Sequence, residues 1–592
     1  MQLKRLRRNL RKRVKVGQQQ VEDLGKTAEK GLERNLFRRF THLKPVRRFM
    51  IGWIALMFLL IAVSVAQFQH LTAYYQKLEP VPGGIYSEGV VGSISNTNPI
   101  YASSEVDRSL SRLLFAGLLT YDAEGELIGG LARNYAISEN GKVYTVQLQR
   151  DLTWHDGKPI TSKDVVFTYN TIKDPDARSP LLNSWKNVTI AAVDAYTITF
   201  TLPSTLASFP GNLTTGIIPE HILGNVGTSN LRSVDFNTVA PVGSGPFKWH
   251  GLQVSGNDPS SIEEQVALLP FDNYVLGKPK LGEFIVHSYA TQERLQKAFE
   301  SGQLNAAASL NEQPAKSPKT TESRHLVMAA GNYVFFKTSS ESLSSVKTRQ
   351  ALVAASNPQS IIDSLNYTTR PVTGPLLVGQ LGYDKKYAQN SGDPVRAKQL
   401  LLEDGWVAAA DGMLSKNGKP LRFSLVATDT PEYRKVTKQL EAQWKAVGVR
   451  VSVQLIPVAD YASVLAAHDY DATLYGIAVG DDPDVYAYWD SSQADVRSDS
   501  RLNLSEWKNS GADAALEAGR TRLDPQIRTV KYAPFLQAWQ QESPALGLYQ
   551  PAYLYITRGP LYGLTERTIN SSIDRYNGVQ NWQIRTARVT HN

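Results

Sequence analysis

Three aspartates, Asp481, Asp482 and Asp484, crowd around Pro483 in the otherwise apolar stretch VGDDPDVYAYW. Such a cluster either shapes an Asx-type turn through short hydrogen bonds to its own backbone, or aims carboxylates at a cationic ligand. His155-Asp156 is the other pair suited to proton chemistry, but it sits in WHDGKP, where Asp-Gly and Pro favour a turn. The nine histidines never fall three or four apart. No helix can therefore offer a histidine pair to a metal, although residues distant in sequence could still assemble a site. The chain has no G-x-S-x-G, P-loop, H-E-x-x-H or helix-opening G-x-G-x-x-G. It also lacks cysteine, which removes thiol nucleophiles, disulfides, iron–sulfur ligation and lipid attachment through sulfur. The residues point to binding, with no catalytic residue, metal or cofactor.

At 592 residues the chain exceeds what one hydrophobic core sustains, so at least two lobes are expected. With 42% hydrophobic and 20% charged residues, wholesale disorder and coiled coil are excluded. The net charge of +9 is unevenly held. The first 48 residues carry 16 Lys+Arg and 4 Asp+Glu, or +12, and the other 544 carry 48 and 51, or −3. No aromatic or groove-reading motif accompanies the basic residues, so nucleic acid is not an expected partner.

Behind this basic tail, Phe49 to Ala66 (FMIGWIALMFLLIAVSVA) holds 18 residues without a charge. As a helix it spans ~27 Å, enough for the hydrocarbon core of a bilayer. Arg47 and Arg48 precede it and the next charge is Lys77, so the tail is expected inside and the large remainder outside the cell. A cleaved signal peptide ending at Ser64-Val65-Ala66 is the alternative. Lys4 to Lys15 suits anionic lipid headgroups, and Val21, Leu24, Ala28, Leu32, Leu36 and Phe40 recur as one face of an amphipathic helix. The same charge also serves as a plain topogenic flank. Residues 1–48 thus read as a cytoplasmic tail, 49–67 as a transmembrane anchor and 68–82 as a tether.

The remainder alternates strands and helices. Asn140-Gly141 before KVYTVQL marks a hairpin, and Asn417-Gly418 does the same before Leu421–Val426. Thr430 caps a helix from Pro431, with Val436, Leu440, Trp444 and Val447 on one face, Gly448 as its stop and the strand RVSVQLIPV beyond. Thr291 and Gly302 bracket another helix carrying Leu295 and Phe299. These elements make an α/β ectodomain.

The stretch 131–168, LARNYAISENGKVYTVQLQRDLTWHDGKPITSKDVVFT, resembles the signature region of bacterial extracellular solute-binding proteins of family 5, the peptide- and nickel-type binding components of ABC importers. The likeness continues in order through LFAGLL with Tyr121-Asp122, then Gly243-Ser244-Gly245-Pro246-Phe247. Asn273-Tyr274 with Gly277-Lys278-Pro279, Arg349-Gln350-Ala351-Leu352 and Gly480–Tyr486 follow. Asn305 and Asn357 stand where the family usually has aspartate, and Gln149 where arginine is common.

The resemblance implies a two-lobed periplasmic-binding-protein-like (type II) α/β fold with an extra inserted subdomain, preceded here by one transmembrane helix. Lobe one would cover 83–338, with 122–202 inserted, and 547–592; lobe two would cover 339–546. The chain would cross between lobes near 335–340 and 545–550. It further implies capture of dipeptides or oligopeptides for an ABC permease and its ATPase, with no cofactor. A tethered receptor on the same fold, or a non-peptide solute such as a metal chelate or oligosaccharide, is the alternative. Ser103, Ser104 and Glu105 match the lobe-one segment that pairs with ligand backbone. Tyr475, Gly476, Ile477 and Ala478 match the facing strand, and Tyr461 a pocket-wall aromatic. Val479 stands where characterised peptide binders carry the aspartate that grips the ligand's ammonium, which turns attention to Asp481 and Asp482 as replacements.

Overall fold

The computed structural model describes residues 47–590, apart from 259–260, 309, 317–318, 366, 411, 496 and 499–500. The basic cluster and amphipathic segment expected before residue 41 lie outside the described residues. The chain divides into two units, residues 1–79 with 586–592, and residues 80–585.

The described part of the first unit is a 29-residue helix, Arg47–Tyr75, and a ribbon that pairs strand Gln76–Val81 with Arg585–Thr590. The helix is long and apolar enough to cross a membrane, with mean hydropathy 2.6 over Arg47–Phe68 and its apolar side chains exposed on every face. The tether expected over 68–82 is instead helix as far as Tyr75 and strand beyond it. The reason is local: QFQHLTAYY contains no proline or glycine, so nothing stops the helix before Tyr75.

In the second unit, two large sheets define two lobes. Lobe one is built on seven strands in the spatial order Thr321–Val327, Ala552–Arg558, Ala306–Ala307, Ile85–Val91, Glu283–Tyr289, Glu263–Pro270 and Phe247–Ser255. Helix Gln292–Ser301 starts at Thr291, whose side chain accepts from Arg294 N, and ends on left-handed Gly302. It lays Leu295 and Phe299 against one face of the sheet. Gly89 permits this approach, since a Cβ there would meet Leu295 Cδ1 at 2.4 Å.

The insertion forms an antiparallel sheet of Ala132–Ile137, Val143–Leu148, Thr197–Thr201 and Thr189–Asp194. Its first hairpin turns at Asn140, whose Oδ1 accepts from Lys142 N, and at Gly141 with φ of 70°. Trp154, Tyr169, Trp185 and Phe200 merge with the main lobe-one core, so the insertion extends that core instead of building its own.

Lobe two has five strands in the order Arg450–Ile456, Arg422–Thr428, Ala472–Ala478, Ala330–Phe336 and Ala545–Tyr549. Strand Ala330–Phe336 is buried throughout because helices cover both faces. Val334 and Phe336 meet Leu352, Leu401 and Trp444 on one side; Tyr333 and Phe335 meet Trp489, Phe535 and Trp539 on the other. Thr430 caps helix Pro431–Lys445 as its sequence indicates, accepting from Tyr433 N.

The lobe boundaries lie away from the expected 338/339 and 546/547. Ala330–Phe336 and Ala545–Tyr549 both pair within the lobe-two sheet, which moves the crossings to 328–329 and 550–551. An unbroken apolar run does not reveal which sheet will receive it. The two crossings lie side by side. Met328 N donates to Pro551 O at 2.8 Å, and Gln550 Nε2 returns a bond to Met328 O at 2.9 Å. Two adjacent single-chain links of this kind form a hinge.

The cleft between the lobes

Strand Ala472–Ala478 of lobe two leads directly into the aspartate loop. Its pairing with Arg422–Thr428 stops at Leu474, whereas pairing with Ala330–Phe336 continues to Ala478. Among the described residues, the second edge from Tyr475 to Ala478 therefore has no sheet neighbour, and Ala478 is exposed. Val479 turns inward and is buried in the lobe-two core. Val479 N and Gly480 N both donate to Ala329 O at 2.9 Å, which pins the loop to the hinge.

The three aspartates then part company. Asp482 receives Nη1 and Nη2 of Arg528 at 2.7 Å each and Asp484 N at 3.0 Å, so its charge is compensated and it closes the Asx turn around Pro483. Asp484 pairs with Arg520 Nη2 at 3.1 Å and accepts from Ser208 Oγ of lobe one at 3.3 Å. Asp481 accepts from Asn570 Nδ2 of lobe one at 2.5 Å and, among the described residues, has no cation within ion-pairing distance. Desolvation holds its carboxyl above the ordinary aspartate range; the Asn570 hydrogen bond and the more distant charge of Arg567 partly offset this, and Asp574 adds to it.

These loops line an open cavity of about 450 Å³. Lobe two contributes Val479, Gly480 and the aspartates. Lobe one contributes Arg112 and Tyr121, then Ser208 with Gly211 and Thr214, and the turn around Asn570 and Asp574. Burial, followed by Asp481 and Asp574, pushes the Tyr121 hydroxyl up to about 12. Desolvation is the main cause; Asp482 adds to the carboxylate contribution and Arg567 opposes it.

The lobe-one wall is held from beneath by a buried ion pair. Arg575 Nη2 meets Glu88 Oε1 at 2.7 Å with both side chains inaccessible to solvent. Arg575 Nη1 donates to Ser572 O, while Tyr555 and Tyr576 hydroxyls donate to Glu88. Nε also donates to Glu88 Oε1 at 3.3 Å, so each nitrogen and oxygen of the pair has a partner, the condition under which buried charge is tolerable. Asp574 Oδ2 accepts from Asn570 N and Ser571 N, which shapes the turn that presents Asn570 to Asp481.

Of the residues singled out from the sequence, Asp481 and Asp482 line this cavity; Ser103, Ser104 and Glu105 do not. Ser103 is exposed, and Ser104 caps helix Glu105–Leu114 by accepting from Asp107 N at 3.0 Å. Glu105 accepts from Tyr553 Oη and lies 3.7 Å from Arg575 Nη1. Tyr461 is corrected from pocket wall to core. It is 4% exposed, and its hydroxyl is taken up by Thr473 Oγ1 at 2.6 Å and Leu474 O at 2.9 Å. Arg112, Tyr121, Ser208, Asn570 and Asp574 escaped the sequence reading. They come from three segments separated by about 90 and about 360 residues, and of them only Tyr121 falls in a stretch that the sequence marks, as a landmark of the fold and not of the site.

Two α/β lobes joined by paired crossings around a polar cavity define a cleft-type binding protein. The family model described as "Bacterial extracellular solute-binding proteins, family 5 Middle" matches residues 126–498. The chain belongs to that family, and its role is solute binding, not catalysis. It is 26% identical over 495 residues to the oligopeptide-binding protein AppA of Bacillus subtilis, covering 80% of this chain and 87% of AppA. The crystal structure of the ABC transporter substrate-binding protein CtaP of Listeria monocytogenes superposes with a TM-score of 0.72 at 25% identity, covering 85% of this chain and 99% of CtaP. NikZ of Campylobacter jejuni, solved in complex with Ni(L-His), gives a TM-score of 0.70 at 24% identity, covering 84% and 99%.

Proposed function

We propose that this protein is the membrane-anchored, extracytoplasmic binding component of an ABC importer and captures dipeptides or oligopeptides between its lobes. The single observation that carries the peptide reading is Asp481. It is a carboxylate that lines the cleft and is itself exposed to solvent, with a neutral amide as its hydrogen-bond partner and two neighbouring aspartates already compensated by arginines. A ligand ammonium would give Asp481 the direct ion-pair partner that its hydrogen bond to Asn570 does not, and would favour the ionised carboxylate against the desolvation that raises it. The open edge of Tyr475–Ala478 can take an extended backbone by strand addition, which gives affinity without regard to side chains. The name of the AppA relative supports the same ligand class.

Calorimetry on Asp481→Asn tests this reading. A free-amine peptide should lose ~2–5 kcal/mol of binding free energy, as when one side of a buried charge pair is removed. Its N-acetylated form, already unable to pair, should be nearly indifferent. Equal losses for both would reduce Asp481 to a turn former. Binding of sugars or metal chelates with no peptide bound would sink the peptide assignment while leaving the solute-binding role intact.

A further inference from the structure

A second open cavity, of about 380 Å³, lies on lobe one and shares no lining residue with the cleft. One side of it is the end of the antiparallel pair Glu263–Pro270 and Glu283–Tyr289, where Glu263 stands opposite Tyr289. The other side is helix Gln292–Ser301. Arg294, Lys297, Ala298 and Ser301 follow one another at spacings that share a helix face, and Gln303 completes the lining beyond the Gly302 stop. Tyr289 is 2% exposed, and its hydroxyl makes no hydrogen bond of standard geometry. Burial and then the neighbouring Glu263 carboxylate raise its pKa, so it stays a neutral O–H donor. Arg294 Nε is likewise buried without a partner, and among the described residues no carboxylate pairs with this guanidinium. Glu263 Oε1 lies 3.2 Å from His287 Nδ1, and the carboxylate keeps acceptor capacity beyond that bond.

We propose that this cavity is a site for inorganic phosphate, separate from the solute cleft and independent of what the cleft binds. Buried polar groups are nearly always hydrogen-bonded, so a hydroxyl and a guanidinium nitrogen left open in one cavity call for an incoming acceptor. Arg294 and Lys297 bring positive charge to the same lining, which makes that acceptor an anion. The planar guanidinium favours an oxyanion able to take two parallel bonds. Glu263 then narrows the class. A carboxylate beside an oxyanion repels it unless the oxyanion brings an O–H of its own. Hydrogen phosphate keeps a proton at neutral pH and can donate it to Glu263, whereas sulfate has none to give. A phosphomonoester, whose second ionisation falls near about pH 6, has also lost its proton in mildly alkaline buffer. Donors from Tyr289, Arg294 and Lys297 with a single acceptor from Glu263 therefore match hydrogen phosphate and disfavour the other tetrahedral anions.

The test titrates the full chain in detergent, in a mildly alkaline buffer free of phosphate, with sodium phosphate, sodium sulfate and methyl phosphate, read by isothermal calorimetry. Phosphate should bind saturably and roughly 10-fold or more tightly than either competitor, the scale of one hydrogen bond to a charged group. Arg294→Gln should weaken phosphate roughly 10- to 100-fold, and Tyr289→Phe by a smaller factor, since its bond comes from a neutral donor. Glu263→Gln removes the repelling charge at nearly constant shape; it should raise sulfate affinity and erase most of the preference for phosphate. Equal binding of phosphate and sulfate by the wild type, a comparison that needs no variant, would overturn the proposal and leave an unselective basic surface. Absence of saturable phosphate binding would overturn it outright. Phosphate binding that Arg294→Gln leaves unchanged would also overturn it, placing the anion elsewhere, as on the basic residues between Lys4 and Lys15.

Discussion

Arg528 meets Asp482 with two parallel bonds of 2.7 Å, and its Nε donates to Gly519 O at 3.0 Å. Burial alone would lower the guanidinium's pKa, but the Asp482 carboxylate more than offsets it. This pair joins the aspartate loop to helix Pro525–Glu542 and holds the loop beside the cavity. Arg528→Met leaves Asp482 partly buried without a cation. The expected cost is about 2–4 kcal/mol in denaturant unfolding, somewhat below a fully buried pair because the aspartate keeps some solvent contact. Asp482→Asn with Arg528→Met should cost less than the sum of the single changes. Simple additivity in the double-mutant cycle would show that the two residues stabilise the loop independently.

His155 gives the fold a defined acid sensitivity. Gly243 N donates to its Nδ1 at 3.2 Å, and Nε2 lies 3.1 Å from Gly245 O, an arrangement that suits the neutral ring protonated at Nε2. Burial lowers its pKa from the ordinary 6.5 to about 4; the Gly245 carbonyl and Asp156 oppose that shift, and Lys248 reinforces it. Between those values the unfolded chain binds the proton and the folded chain does not. Stability is thus complete above pH 6.5 and falls as the pH drops toward 4, by about 3 kcal/mol in all. His155→Gln, whose amide can serve both glycines, should flatten this part of the stability profile. An unchanged slope in chemical denaturation at stepped pH would locate the sensitivity elsewhere.

Membrane anchoring is tested by fractionation. Helix Arg47–Tyr75 exposes apolar side chains on every face over Arg47–Phe68 and should keep the protein in the membrane pellet through a carbonate wash. Intact mass should include residues 1–66. A mature N-terminus at Gln67 would identify the same segment as a cleaved signal peptide and release the binding unit.

Much of the scaffold was legible because its signals are local. The Thr291 and Thr430 caps, the Asn140-Gly141 hairpin and the Asx turn around Pro483 depend on residues a few positions apart, and each forms where the sequence places it. The ordered motifs from 114 to 486 likewise sufficed for the family. The cleft was legible only in part, since three aspartates of one type in one loop are chemically alike until their partners arrive.

What separates those aspartates lies far away in the chain: Arg528 for Asp482, Arg520 and Ser208 for Asp484, and Asn570 for Asp481. The same holds for Tyr461, whose helical position fits wall or core until Thr473 and Leu474 close over its hydroxyl. It holds for Ala330–Phe336, whose apolar run joined lobe two once the strands Ala472–Ala478 and Ala545–Tyr549 flanked it. The sequence by itself determined the elements, the family and the polarity of the loop, because backbone preference and hydrophobic period act over a turn or two. Only the tertiary structure decided which charge stays uncompensated at the cleft, because that depends on where distant side chains come to rest in a medium of low dielectric.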